Sequence, residues 1–84
     1  MGVKVVIADD EPLARERLRA LLAELAEVDV VGEAASGNEA LHVCAQTQPD
    51  LVLLDIAMPG IDGLEVARHL AGFEPRPAVV FCTA

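Results

Sequence analysis

Three aspartates and one threonine stand where side chains can do chemistry: the adjacent pair Asp9 and Asp10, then Asp55, then Thr83. Each follows a short apolar run, Val3–Ala8, Leu51–Leu54 and Ala78–Cys82 respectively. Three carboxylates brought within a few ångströms would repel by several kcal/mol at an effective dielectric near ~20, so such a cluster must protonate, splay apart or bind a cation. Oxygen ligands with no His or Cys nearby select a hard divalent ion, and Mg2+ suits one or two protein carboxylates while keeping waters to share with a phosphate. A carboxylate beside Mg2+ can attack phosphorus, because the metal offsets the repulsion between two anions, and Asp55 is the candidate nucleophile. Taken singly, each residue has a plainer role. Asp9 and Asp10 suit a helix cap, a lone Asp at a strand end is usually just solvated, and Thr83 alone carries nothing.

The elements that would bring them together are legible in the apolar pattern. The three runs are nearly continuous, as in strands covered on both faces of a parallel sheet. A weaker fourth candidate, Val28 to Ala34, fits an edge strand. Between the first two strands, Ala14, Leu18, Leu21, Leu22 and Leu25 recur on one face of a helix over Pro12 to Glu27. Pro12 suits its first position, with Asp10 or Glu11 at the positive N-terminus. Arg15, Glu16, Arg19 and Glu27 then fall mostly on the solvent side. Ser36-Gly37-Asn38-Glu39 has capping-box spacing, which predicts a second helix from near Gly37 that turns Ala40, Leu41, Cys44 and Ala45 inward and stops before Pro49. Asp62-Gly63-Leu64-Glu65 starts a third through about Leu70, with Gly72 as its stop. The order βαβαβαβ implies a parallel sheet with right-handed crossovers, whose strand C-termini share one ligand-binding edge. If the first and third strands are neighbours at ~4.8 Å, the three carboxylates meet there.

Composition bounds the partners. Fourteen acidic against six basic residues give a net charge of −8, which opposes binding to nucleic acid. No run reaches membrane-spanning length and no signal-peptide core forms, so a cytoplasmic protein is expected. Cys44 and Cys82 lack metal or disulfide spacing and read as buried free thiols, while His42 and His69 read as surface or rim residues of their helices. With 54% hydrophobic residues and only two aromatics, both Phe, the core must be built from Val, Leu, Ile and Ala.

Val6-Ile7-Ala8-Asp9-Asp10-Glu11-Pro12, Leu53-Leu54-Asp55-Ile56-Ala57-Met58-Pro59-Gly60-Ile61-Asp62-Gly63 and Phe81-Cys82-Thr83-Ala84 resemble the receiver domains of response regulators. The resemblance spans the whole chain, and Asp55 followed by Met58-Pro59-Gly60 and Asp62-Gly63 is its most specific part. It implies an α/β flavodoxin-like, doubly wound parallel sheet of order 2-1-3-4, with residues 1–84 as the N-terminal two thirds of a receiver whose fifth strand is missing. It implies Asp55 as phosphoacceptor, Asp9, Asp10 and Asp55 as Mg2+ carboxylates, and Ala57 as a metal ligand through its backbone carbonyl. Thr83 would be the hydroxyl that contacts the phosphoryl group and switches, and Met58, Pro59 and Gly60 the loop beside the acceptor. A histidine kinase is the implied phosphodonor, and the domain signals rather than catalyses.

The stretch from Asp9 to Leu18 is similar to receivers joined to LytTR-type DNA-binding domains, which implies a transcriptional effector. Receivers also carry, on a fifth strand, a lysine that pairs with the phosphoryl group, and the one lysine here, Lys4, sits roughly 13 Å of extended chain from Ala8. These 84 residues are thus expected to bind metal but to phosphorylate poorly. In the implied order the fourth strand is an uncharged edge between Ala78 and Thr83, which invites self-association. The rival readings are a receiver that acts only as an interaction or dimerisation module, and a Mg2+-dependent phosphohydrolase with an aspartate nucleophile. The latter would want a carboxylate where Ala57 stands.

Overall fold

A computed structural model of the chain describes residues 2–82, and the elements follow the expected alternation: β1 (Val3–Ala8), α1 (Pro12–Leu22), β2 (Val28–Ala34), α2 (Gly37–Thr47), β3 (Leu51–Asp55), α3 (Gly63–Leu70) and β4 (Ala78–Cys82). All strand pairs are parallel, in the order β2-β1-β3-β4. The chain steps from β1 to β2 in one direction, then from β2 back past β1 to β3 and β4. With right-handed crossovers this places α1 on one face of the sheet and α2 and α3 on the other.

Burial follows from that arrangement. Val6, Ala8, Val52 and Leu54 alternate onto the α2/α3 face and pack with Ala40, Cys44, Val66 and Leu70 in one cluster. Val5 and Ile7 point the other way, toward α1, and are just as buried. α1 packs on β1 and β2, yet none of its own residues is buried: Ala14, Leu18 and Leu22 are half-buried, and Leu13, Leu21 and Leu25 are exposed.

Two expectations need correcting. α1 ends at Leu22, not Glu27, because the chain must reverse within five residues to lay Val28 beside Val3. The helix closes with tight bonds from Glu24 N–H to Leu21 O (3.3 Å) and Leu25 N–H to Leu22 O (3.0 Å), and Glu27 O then accepts the Val3 N–H (2.6 Å). In α2, Ala40 and Cys44 face inward as expected, but Ala45 is exposed and Val43 takes the half-buried place. The capping box forms with a shift: Ser36 Oγ accepts the Glu39 N–H (3.2 Å), while Glu39 Oε1 accepts from Ala35 rather than Ser36 (2.6 Å). α2 stops in Gln48, whose φ of 48° is left-handed, immediately before the buried Pro49. α3 is capped by Asp62, which accepts the Glu65 N–H at 3.0 Å.

Candidate functional site

β1 and β3 are hydrogen-bonded neighbours, with Ala8 opposite Leu54, so the residues that follow them emerge side by side at the C-terminal edge. There Asp9, Asp10 and Asp55 each present a carboxylate oxygen within 4.8 Å of the others. At that separation each pair repels by about 1 kcal/mol in water and about 3.5 kcal/mol at an effective dielectric near 20. Asp9 and Asp55 are half-buried and Asp10 is exposed, which places each pair between these limits.

The local hydrogen bonds leave ligand capacity. Asp9 Oδ1 accepts the Glu11 N–H (2.9 Å), so this residue does shape the entry to α1, but among the described residues only one oxygen is used. Asp55 Oδ1 accepts the Ala57 N–H (3.1 Å), and among the described residues Oδ2 has no partner. A three-carboxylate set at this spacing fits a hard divalent cation.

The loop after Asp55 is anchored at both ends. Met58 is buried against the core, whereas Pro59 and Gly60 are exposed, with Gly60 at a φ of 80°. Gly63 donates its N–H to Ile56 O (2.8 Å), and a Cβ at Gly63 would lie 2.6 Å from Asp55 O. Only glycine lets α3 start this close to the end of β3.

Thr83 lies outside the described residues. Its neighbour Cys82 pairs in register with Asp55 and lines a groove of about 380 Å3 together with Asp9, Asp55, Leu18 and Leu21. A thiol therefore does stand near the carboxylates, contrary to the oxygen-only surroundings expected, and Cys82 is half-buried rather than buried. Burial, with the charges of Asp9 and Asp55, pushes this thiol up, and its soft sulfur is a poor match for the hard cation that the carboxylates suit. His42 and His69 are exposed, as expected. Lys4 sits at the opposite edge, where its ammonium donates to Thr47 O (3.3 Å), and it cannot reach the cluster.

One residue of the site escaped the sequence reading. Arg15, assigned there to solvent, turns inward: its side chain is 19% exposed, Nη1 donates to the Asp9 carbonyl at 2.7 Å, and Nε lies 3.3 Å from Glu33 Oε1. Glu33 Oε2 also meets Arg19, at 3.0 Å. The available signal was Glu33 on the neighbouring strand, an acid that could draw two arginines spaced one helical turn apart to that side.

Residues 5–84 match the family described as "Response regulator receiver domain". The chain is 54% identical over 83 residues to the "Positive alginate biosynthesis regulatory protein" of Pseudomonas aeruginosa, covering 98% of this chain and 34% of that one. It is 46% identical over 82 residues to the "Transcriptional regulatory protein BtsR" of Escherichia coli K12, with the same coverages. The chain thus spans about a third of the length of these curated relatives. Among solved structures, the receiver domain of the putative response regulator NarL from Mycobacterium tuberculosis superposes with a TM-score of 0.93 at 41% identity, over 99% of this chain and 67% of that one.

Proposed function

Because this chain belongs to the response-regulator receiver family, we propose that it is a phosphoacceptor of two-component signalling, charged on Asp55 by a histidine kinase. The observation that carries this reading is the convergence of Asp9, Asp10 and Asp55, with ligand oxygens within 4.8 Å, at the C-terminal edge of a receiver sheet. Asp9, Asp10, Asp55 and the backbone carbonyl of Ala57 would hold Mg2+. The ion supplies charge neutralisation where two anions must approach. Asp55 Oδ2, free among the described residues, is the oxygen that bonds to phosphorus as the bond to the donor's leaving group breaks, which leaves an acyl phosphate on Asp55.

The Thr83 hydroxyl would contact the phosphoryl group, and the loop of Met58, Pro59 and Gly60 would answer the added charge with a second conformation. The name of the Escherichia coli relative, a transcriptional regulatory protein, supports an effector that acts on genes, and the likeness of the Asp9–Leu18 stretch favours the LytTR type. The 67% coverage of the receiver structure supports reading residues 1–84 as two thirds of such a domain. No helix among the described residues is long and apolar enough to cross a membrane, which fits a cytoplasmic protein. The position of Lys4 supports weak phosphorylation by these 84 residues alone, and Ala57 in place of a second carboxylate counts against a phosphohydrolase.

Intact mass after incubation with Mg2+ and acetyl phosphate tests the reading. One phosphoryl adduct that disappears in Asp55→Asn and in chelator supports it. An adduct that persists in Asp55→Asn moves the acceptor elsewhere, and no adduct under any condition favours a receiver-shaped interaction module.

A further inference from the structure

Asp9 is held from both sides. Its N–H donates to Ala34 O on β2 (3.0 Å), and its carbonyl accepts Arg15 Nη1 (2.7 Å). The helical ladder of α1 begins later, at Glu11 O, which takes the Arg15 N–H at 3.1 Å. The Asp9 carbonyl thus lies ahead of that bond and receives a side-chain donor. That carbonyl belongs to the peptide joining Asp9 to Asp10, so whatever fixes it fixes the relative placement of two of the three carboxylates.

Arg15 is suited to the task because it is itself fixed. Its side chain is only 19% exposed and its Nε is tied to Glu33, whereas Arg17, two residues on, is exposed. A lone guanidinium beside a cation site would weaken cation binding by repulsion, and Glu33 cancels its charge. The second cation on Glu33, Arg19, is 61% exposed and so better screened by solvent, and the inward pair of Arg15 and Glu33 aligns the peptide with little charge of its own.

We infer that Arg15 is a positioning residue that holds the Asp9–Asp10 peptide in the geometry required for Mg2+. The inference rests on the reading of Asp9, Asp10 and Asp55 as the metal site. Outer-shell partners of metal ligands commonly govern affinity in this way.

The test is calorimetric Mg2+ titration of the wild type, Arg15→Met and Arg15→Lys, with thermal unfolding of each measured so that all titrations fall well below Tm. Arg15→Met should weaken Mg2+ binding about tenfold. Arg15→Lys, which keeps a donor for the Asp9 carbonyl but not the fork to Glu33, should lose less. Tighter binding in Arg15→Met would mean that charge alone matters, and an unchanged Kd with a lowered Tm would mean a role in stability only. Either result overturns the inference. If Arg15→Met does not fold, Arg15→Ala decides, since it also lacks the donor and suits a helix: an unchanged Kd there overturns the inference. A wild type that takes up no Mg2+ removes the metal-site reading and the inference with it, a result distinct from a wild type that binds and variants that bind equally.

Discussion

Cys44 lies on the inner face of α2 with no exposed surface, and burial pushes its thiol from about 9.0 to about 11. The folded state holds this proton more tightly than the unfolded chain. The associated stability is therefore fully present below pH 9 and is lost as pH rises toward 11, by up to about 1.4 kcal/mol per pH unit. Urea unfolding of the wild type should show this decline, and Cys44→Ala should lack that part of it; parallel pH profiles would refute the assignment. Asp9, Asp10 and Asp55 were legible because each follows an apolar run, and a parallel sheet gathers such residues at one edge. Arg15 was not, because helical periodicity sends a charged residue to water unless a partner waits on another element. Glu33 waits on β2, a pairing that only tertiary structure reveals. Cys82 was hidden for a similar reason: its exposure depends on what covers the α1 face beyond β3.

Helix boundaries show the same division between local and tertiary causes. α2 and α3 begin at side-chain caps that the sequence displays, Ser36 and Asp62, and both start where expected. α1 was overextended because Leu25 continues the apolar stripe, yet the return to β2 must start at Ala23 and leaves Leu25 54% exposed. Leu25→Ala should accordingly change stability by no more than about 0.5 kcal/mol. Leu70→Ala, at the fully buried last residue of α3, should cost about 2–5 kcal/mol. Chemical denaturation of the two variants distinguishes these roles, and comparable losses would show that Leu25 packs more closely than its exposure indicates.

At the scale of the molecule, the described sheet has two open edges, β2 and β4. β2 carries Asp29 and Glu33, charges that discourage further pairing, but β4 is Ala78-Val79-Val80-Phe81-Cys82, with Val80 and Phe81 exposed. A polypeptide of these 84 residues should therefore self-associate through β4. Sedimentation across micromolar concentrations should show mass rising above the monomer, and a constant monomeric mass would refute it.

The docking of α1 has a different consequence. A helix that covers Val5 and Ile7 but buries no residue of its own is held less firmly than α2 and α3, and can lift away at a free energy below that of global unfolding. Its first turn nevertheless adjoins the Asp9–Asp10 turn, so an ion that requires that turn in place binds only the docked state. Occupancy would then hold α1 down by RT ln(1 + [L]/Kd), about 2.7 kcal/mol at a hundredfold excess over Kd. Amide exchange along α1 thereby becomes a gauge of whether the site is filled, read from a helix whose protection would change while that of the central strands need not.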